Sequence, residues 1–203
     1  MNFHHYHEVD IRVHMNSVKP LFLNHFENTR GITTKTGLIV SLHQYYLYND
    51  AAVRASYTVF DTTPTTFICS KVSDDDEMHL LLSRYKEIAR GAAKKERVPV
   101  KHCEQNMWLV KPASLNQGRG IEIFRTMKDI NDCIFHRNPQ IRSWVVQKYV
   151  EHPFLFNGRK FDVRVWAVVT EDFRIYFYKH GYLRTSSAEY NLSDKNNYVH
   201  LTN

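Results

Sequence analysis

The amino-acid sequence predicts an α+β fold, because its two halves carry different periodicities. The first half contains two segments in which apolar residues recur at helical spacing, whereas the second half contains mostly strand-like runs and one helix. The composition agrees with this class: 203 residues, 43% of them hydrophobic and 24% charged, are ordinary for a globular protein. The chain is long enough to bury one substantial core or two small ones, which excludes a mainly disordered protein.

The first predicted elements are a helix and a bent strand. Residues 36–48 place Leu38, Leu42, Tyr45 and Tyr46 at helical intervals, and a polar pair follows them as a stop signal, so we expect an amphipathic helix. The segments 57–60 and 65–69 are rich in β-branched and aromatic residues, which predicts a strand interrupted at the intervening proline.

A second helix is predicted after Ser73, where an N-cap residue and an acidic first turn precede a long apolar period that ends at Gly91. We interpret the acidic residues as a helix start rather than as a metal site. The following loop, 91–105, has no apolar period and is predicted to be a surface loop or lid.

The second half alternates short strands with turns. We predict strands at 107–111 and 121–124 joined by a glycine-bearing loop, a helix at 126–135, a strand at 144–149, a turn at Asn157 and Gly158, and two long strands at 160–170 and 173–179.

Neither a membrane span nor a secretory signal is visible in the sequence. No apolar run approaches about 18 residues, and a polar run follows Met1. The cysteines Cys69, Cys103 and Cys133 are odd in number and widely spaced, so they predict neither a disulfide framework nor a Cys-x-x-Cys zinc site. Histidines near the amino terminus could suggest metal binding, but no carboxylate or cysteine cluster accompanies them. We expect a protein of the reducing cytoplasm with no membrane partner.

The net charge of +6 is concentrated in the second half. Lysines and arginines number 12 against 11 acidic residues in 1–100, and 15 against 10 in 101–203. A basic surplus attracts nucleic acid, nucleotide phosphates, an acidic membrane face or an acidic protein segment. It is equally typical of a solvated surface with no partner.

Two features of the second half could hold phosphates. Gly118 and Gly120 lie in a loop directly after a strand that ends at Lys111, and further cations follow on later strands. The loop is neither a Walker A sequence nor a dinucleotide fingerprint, and by itself a plain hairpin turn explains it as well. In the strand 160–168, period-two alternation places Lys160, Asp162 and Arg164 on one face, which a solvated sheet face would also do.

Five ordered blocks resemble the signatures of the tubulin tyrosine ligase-like family. They are WLVKP at 108–112, QGRGI at 117–121, WVVQKY at 144–149, KFDVR at 160–164 and HLTN at 200–203. NHFE at 24–27, TTKTGL at 33–38 and PTTF at 64–67 are similar to the family's amino-terminal portion, with less specific patterns.

The resemblance implies an ATP-grasp fold, in which α+β domains close over ATP. It implies an amino-terminal portion at 1–50, a central domain at 51–147 with the glycine loop 112–120, and an incomplete carboxy-terminal domain at 148–203. The activity implied is that of an ATP-dependent ligase that joins a free amino acid, glutamate in our prediction (polyglutamylation), to tubulin tails through an acyl-phosphate intermediate. Glycine or tyrosine addition is a variant within this class.

The resemblance also assigns roles to individual residues. It places Lys111 on the phosphates with the loop 117–121 over them, the segment 147–150 at the adenine as the interdomain hinge, and His200 at the edge of the site. Catalytic roles are implied for Lys160, Arg164 and Arg184, near the phosphates, the reacting carboxylate and the transferring phosphoryl group. The implied nucleotide contacts are Lys111, Gln117, Gly118, Arg119, Gly120, Ile121, Gln147, Lys148, Tyr149, Val150, Lys160, Asp162, Thr202 and Asn203. We expect Lys111, Lys148, Lys160 and Arg184 to face one shared cleft.

Magnesium is expected together with ATP, but the family's acidic metal ligands come after the HLTN block, so we expect them beyond Asn203. This predicts a fragment, a truncated product or an inactive relative, with little ligase activity from the 203 residues alone. The alternative function is a non-catalytic nucleotide- or microtubule-binding module. Nucleic acid is not an expected partner, because the charged strand face offers Trp166 as its one stacking residue. We expect a cytoplasmic, cytoskeletal location, with cilium or axoneme as a further expectation of the family.

Overall fold

A computed structural model describes residues 26, 29–55, 58–71, 76–91, 105–194 and 196–202. The helices are α1 (Arg30–Thr33), α2 (Lys35–Tyr48), α3 (Asp50–Arg54), α4 (Asp76–Ala89), α5 (Met127–Asp132) and α6 (Asn197–His200). The strands are β1 (Thr66–Ser70), β2 (Trp108–Pro112), β3 (Glu122–Phe124), β4 (Ser143–Lys148), β5 (Leu155–Phe156), β6 (Arg159–Arg164), β7 (Ala167–Val169), β8 (Ile175–Phe177) and β9 (Tyr182–Thr185). The predicted mixture of helices and sheets is confirmed, whereas the predicted domain boundaries stay a prediction.

The central sheet has the strand order β1-β4-β2-β3, with antiparallel neighbours throughout. Alternate residues of its strands turn to one face and pack against α4 and α5. The buried cluster on this face is formed by Phe67, Cys69, Leu81, Ile88, Trp108, Val110, Phe124, Ile130, Cys133, Ile134, Ile141, Trp144 and Val146. This cluster is the main core of the described residues, and it holds β2 and β4 in a fixed register.

The opposite face of the central sheet carries the polar residues. Thr66 of β1, Gln147 of β4 and Leu109 of β2 are cross-strand partners in one row. Lys111 lies in the neighbouring row of the same face, because successive side chains of a strand alternate between faces. The candidate site is built on this polar face.

The second sheet has the order β5-β6-β9, and β7 and β8 form a separate two-stranded ribbon. The predicted turn between β5 and β6 is confirmed: Asn157 and Gly158 have φ angles of 48° and 71°, as a type I′ hairpin requires. The predicted single strand 160–170 is wrong, because β6 pairs with β9 whereas β7 pairs with β8. The chain therefore leaves one sheet at Val165 and Trp166 to join the other.

The apolar residues that alternate with Lys160, Asp162 and Arg164 in this segment are not all buried among the described residues. Val163 and Val165 are 54% and 55% exposed, and the ribbon residues are also exposed. Alternation in the sequence cannot show whether another layer covers such a face.

Two predictions for the first half need correction. Helix α2 forms as predicted, with the Thr34 hydroxyl accepting the Gly37 N–H at its start, but its buried residue is Ile39, while Leu38 and Tyr45 are exposed. Among the described residues, the helix makes its main contacts with α1, α3 and a short 3₁₀ turn.

The second correction concerns the predicted bent strand. Its second part is confirmed as β1, but Val59–Asp61 is a 3₁₀ turn, and residue 57 lies outside the described residues. The reason is local capping: the Asp61 carboxylate accepts the backbone N–H of Thr58 at 2.7 Å, which stabilises a helical turn over an extended chain.

The helix predicted after Ser73 is confirmed as α4, and Gly91 ends it with a φ angle of 70°, a conformation that glycine adopts without strain. Ser73 itself, the histidines before residue 15, Cys103 and most of the loop 91–105 lie outside the described residues. No helix in the described part of the chain is both long and apolar enough to cross a membrane.

Candidate functional site: a basic cluster between the two sheets

Lys111 is held at the end of β2 by a side-chain hydrogen bond across the sheet. Its ammonium donates to Oε1 of Gln147 at 2.7 Å. The amide nitrogen of Gln147 donates in turn to the Thr66 hydroxyl at 2.9 Å. The three side chains come from three adjacent strands, so the central sheet itself determines where the ammonium lies.

Lys160 enters the same region from β6. Its ammonium lies 4.1 Å from the centre of the Tyr149 ring and donates to the Tyr149 hydroxyl at 3.0 Å. The cation is therefore held by both the face and the oxygen of one aromatic residue. Because Tyr149 directly follows β4, this contact connects the second sheet to the central one.

A hydrogen-bond chain extends from Lys160 into the carboxy-terminal segment. The Tyr149 hydroxyl lies 2.9 Å from Nδ1 of His200, and Nε2 of His200 lies 2.8 Å from the Asp194 carbonyl. Because a carbonyl only accepts, Nε2 carries the hydrogen and Nδ1 accepts from Tyr149. Burial lowers the pKa of His200 and raises the pKa of Tyr149, so both groups stay neutral and keep this donor order.

The lysines of the cluster are close enough to influence one another. Burial, and then the charge of Lys111, lowers the pKa of Lys160 to about 8. Burial, and then the charge of Lys35, lowers the pKa of Lys111. Three ammonium groups from α2, β2 and β6 thus face a common region, and mutual repulsion of this kind is relieved when an anion binds between them.

Lys35 is a site residue that the sequence reasoning did not single out. It stands in the TTKTGL segment, which was noted for its family resemblance without a role. Its ammonium donates to the carbonyl of Leu115 in the glycine loop. A lysine in the first turn of a helix carries no chemical signal by itself, so its placement depends on how α2 lies against the loop.

The glycine loop between β2 and β3 has the backbone that its sequence predicts. Gln117, Gly118 and Gly120 all have positive φ angles, of 58°, 73° and 67°. A side chain at Gly120 would place its Cβ 2.9 Å from Cγ of Pro112, so the loop needs glycine there for both reasons. The Arg119 guanidinium donates to the Gln117 side chain at 3.1 Å. Ile121 directly precedes β3.

Asp162 and Arg184 form a two-bond ion pair across β6 and β9. The guanidinium donates at 2.7 Å and 2.6 Å to the two carboxylate oxygens, and the Thr202 hydroxyl donates to the same carboxylate at 2.8 Å. The hydrogen bond from Arg184 is the main cause of the lowered pKa of Asp162. Arg164 lies two residues further along β6 and is exposed.

Lys148 does not face the other cations. Its side chain is 4% exposed and lies 6.0 Å from the Trp108 ring on the core side of the sheet. The ammonium donates to the Met107 carbonyl at 2.9 Å and to the fully buried Glu151 carboxylate at 2.5 Å. The expectation that Lys148 shares the cleft with Lys111 is wrong for this reason: Lys148 directly follows Gln147, and neighbouring strand residues point to opposite faces. Its predicted nucleotide contact stays a prediction.

Glu151 also accepts the backbone N–H groups of Gln105 and Met107, at 2.5 Å and 2.8 Å. The Glu151 backbone carbonyl accepts the Tyr190 hydroxyl at 2.6 Å. Lys148 and Glu151 therefore fix the segment through Val150 that leads from the central sheet to the second sheet. Asn203, the remaining predicted contact, lies outside the described residues.

The described residues fit a polyphosphate better than a metal ion. Three ammonium groups lie near the glycine loop, and clustered cations of this kind can bind an anion with several charges. In contrast, no group of three His, Cys, Asp or Glu side chains in the described part of the chain is arranged to hold a metal. A cavity of about 380 Å³ adjoins His200, lined also by Met107, Ile123, Phe124, Arg125, Thr126, Asp129 and Asp194.

A comparison with protein families supports the resemblance noted in the motifs. The sequence profile of the tubulin-tyrosine ligase family matches residues 22–203. The chain belongs to this family. The match covers nearly all of the chain, including α2 with Lys35, both sheets and the glycine loop.

Three curated relatives show how the similarity is distributed. Tubulin glycylase 3B of Tetrahymena thermophila is 45% identical over 114 residues, which is 53% of this chain and 9% of that protein. Human tubulin monoglycylase TTLL3 is 37% identical over 105 residues, or 49% of this chain and 14% of that protein. Human probable tubulin polyglutamylase TTLL2 is 33% identical over 193 residues, or 93% of this chain and 28% of that protein. The chain thus spans less than a third of each of these relatives.

Proposed function

We propose that this chain carries the nucleotide-binding part of an ATP-dependent carboxylate–amine ligase with an ATP-grasp fold, acting on tubulin. The single observation that carries the proposal is geometric: the ammonium groups of Lys111 and Lys160, from two different sheets, are hydrogen-bonded to Gln147 and Tyr149, which lie two residues apart in the chain, and a glycine loop follows Lys111. A basic cluster on a solvated surface would not depress its own lysine pKa values by burial. The arrangement is the one expected of a site whose natural occupant is a multiply charged anion.

Different residues of the site would bind different parts of ATP. Lys111 and Lys160 neutralise phosphate charge from two sheets, and Lys35 holds the loop that would lie over the phosphates. Asp162, kept ionised by Arg184, can accept hydrogen bonds from ribose hydroxyls. When bound, ATP supplies the phosphoryl group that activates a carboxylate for attack by an amine. Charge neutralisation by fixed cations is the main help that a protein gives such a transfer.

Magnesium belongs to the proposal only in outline. The described residues show no group of side chains arranged to hold a metal, so we derive no step through the ion. The activity, substrates and partners of the whole protein are also proposals, because the chain covers a small share of the length of its relatives.

The acceptor proposed is an acidic tubulin tail. The names of the relatives supply the protein class, and the excess of 15 basic over 10 acidic residues in the second half supplies the complementary charge. A cytoskeletal location follows from this proposal, and the cilium or axoneme stays a prediction.

For the transferred amino acid we infer glycine before glutamate. Glutamate was the sequence-based prediction, and a relative named as a probable polyglutamylase aligns over 93% of the chain. The relatives of higher identity are named glycylases, at 45% for the ciliate protein and 37% for the human one. Glycine is therefore favoured by identity, and glutamate is the second candidate.

Nucleotide binding tests the proposal most directly. Calorimetric titration with a non-hydrolysable ATP analogue and magnesium should show binding that Lys160→Met weakens strongly. Lys128→Met is the matched control, because it removes the same charge from an exposed position on α5, on the other side of the central sheet. Equal affinity in the two variants, or no binding by the unaltered chain, would overturn the proposal.

Transfer of radiolabelled amino acids to microtubules tests the acceptor and the amino acid. For the whole protein, rather than for these 203 residues alone, the expected result is incorporation of glycine above glutamate, and the reverse would favour glutamate, the sequence-based prediction. Binding of both nucleotide and microtubules without incorporation is the result expected of the non-catalytic module, which is the alternative function.

A further inference from the structure

We propose that Thr66 is a positioning residue for the Lys111 ammonium, acting through the side-chain amide of Gln147. The inference rests on the proposed function, because it gives a purpose to the orientation of Lys111. Among the described residues Thr66 makes no hydrogen bond to Lys111 itself, and it is 2% exposed, at the start of β1. Its influence passes through one hydrogen bond to the neighbouring strand.

The Thr66 hydroxyl has a single hydrogen, and that hydrogen is already used. It is donated to the carbonyl of Pro64 at 2.7 Å. Toward Gln147 the hydroxyl oxygen can therefore only accept, and it accepts the amide N–H at 2.9 Å. The proline ring restricts the backbone that carries the Pro64 carbonyl, which keeps this acceptor in place.

The acceptor character of Thr66 decides which way the Gln147 amide faces. With its nitrogen on Thr66, the amide presents its oxygen to Lys111 at 2.7 Å. The flipped amide would set its NH₂ group against an ammonium and its oxygen against a hydroxyl with no hydrogen to give, so both hydrogen bonds would be lost. The orientation thus follows from the network, as amide orientations do.

The orientation of the Lys111 ammonium affects how well it can bind an anion. An ammonium has three hydrogens on a flexible stem, and the bond to Gln147 fixes the rotation of the group by occupying one of them. The other two then point in set directions toward the region shared with Lys160. Preorganised donors of this kind avoid the cost of ordering a long side chain when the anion binds.

The sheet register makes the arrangement rigid. Thr66 and Gln147 are directly opposed cross-strand partners in β1 and β4, and Lys111 lies on the adjacent strand β2. Directly opposed side chains on one face lie about 5 Å apart, which is the reach of this hydrogen bond. The PTTF segment, noted in the sequence only as a family resemblance, thereby acquires a function.

Three variants test the inference. Thr66→Val keeps the shape of the side chain and removes the hydroxyl, whereas Thr66→Ser keeps the hydroxyl. Thr65→Val makes the same change one residue earlier, at another buried position whose hydroxyl has no hydrogen bond to the described residues. Thermal melting of each variant checks that it is folded at the assay temperature.

Affinity for a non-hydrolysable ATP analogue is the first readout. Losing the orientation of one charge-assisted hydrogen bond should weaken binding about tenfold in Thr66→Val. Thr66→Ser should recover most of the affinity, and Thr65→Val should resemble the unaltered chain. In a Gln147→Leu background, Thr66→Val should have no further effect, because the route to Lys111 is already broken. An equal additional loss in that background would mean that Thr66 has only a structural role, and would overturn the inference.

Hydrogen exchange of the Gln147 side-chain amide, followed by NMR, is the second readout and does not depend on nucleotide. Exchange should be slow in the unaltered chain and in Thr66→Ser, and faster in Thr66→Val. Unchanged exchange in Thr66→Val would overturn the inference even if nucleotide binds. Slow exchange that Thr66→Val abolishes, together with no nucleotide binding by the unaltered chain, would support the orientation of the Gln147 amide by Thr66 and reject the proposed function.

Discussion

Nucleotide affinity is expected to fall above pH 8, because Lys160 loses its proton there. Burial and the charge of Lys111 lower the pKa of this ammonium from 10.5 to about 8. A neutral amine has no charge to offer a phosphate, so each pH unit above 8 should reduce the affinity for a triphosphate by up to about tenfold. Below pH 8 the group stays charged and the affinity should change little on account of Lys160.

The free energy of unfolding should move in the opposite direction. In the unfolded chain the pKa of Lys160 returns to about 10.5, so between pH 8 and pH 10.5 the unfolded chain holds a proton that the folded chain has lost. Stability therefore rises with pH across this window, by up to about 3 kcal/mol at roughly 1.4 kcal/mol per pH unit. At neutral pH the protonated, partly buried Lys160 therefore lowers the free energy of unfolding, while it provides a positive charge that can bind an anion.

Isothermal titration calorimetry with a non-hydrolysable ATP analogue, across this pH range, measures the effect. Titrations in two buffers of different ionisation enthalpy count the protons taken up on binding, and the expected uptake approaches one per site above pH 8. The matched variant Lys160→Arg keeps a charge that does not titrate, so its affinity should fall much less and its proton uptake should be smaller. A flat affinity profile for the unaltered protein, or the same profile in both proteins, would refute the reasoning.

Two further predictions concern stability. Glu151→Gln should lower the free energy of unfolding by about 3 to 5 kcal/mol in urea denaturation, because the buried Lys148 ammonium would lose its ion pair with the Glu151 carboxylate. Adding Lys148→Met should recover part of this loss, and a double variant less stable than the single one would contradict the prediction. Gly120→Ala should destabilise the protein more than Gly91→Ala. Both replace a glycine with a positive φ angle at a cost of about 1 kcal/mol, but the new Cβ would approach the Pro112 ring at Gly120, whereas it would meet nothing within 4 Å at Gly91. Equal melting temperatures of the two variants would count against the close approach.

Local patterns predicted the elements that depend on nearby residues. The helix ending at Gly91, the hairpin turn at Asn157 and Gly158, and the glycine loop after Lys111 all appear where their signals stand. Each of these depends on capping or on a positive φ angle within a few residues, so the sequence alone carries the information. The break after Arg164 was missed because it depends on strands that the chain forms only later, at β8 and β9.

The candidate site divides in a similar way. Motif resemblance located Lys111, Lys160 and Asp162, and the structure shows Lys111 close enough to Lys160 to shift its pKa, with Asp162 two residues along the same strand. The motif resemblance gave no reason to single out Lys35 or Thr66, because each acts through a contact with a residue far away in the chain. A lysine and a threonine without a spacing rule look like surface or core residues until the partner is known.

Residue types and their order were enough to predict a mixture of helices and sheets and the family, which are confirmed, and to predict side chains that could bind an anion, which stay a prediction. The folded chain alone decided that Lys148 turns inward to Glu151, that Arg184 pairs with Asp162, and that Gln147 faces Lys111 with its oxygen. The physical reason is that the direction and charge state of a side chain depend on burial and on partners from other strands, which only packing brings within hydrogen-bond distance.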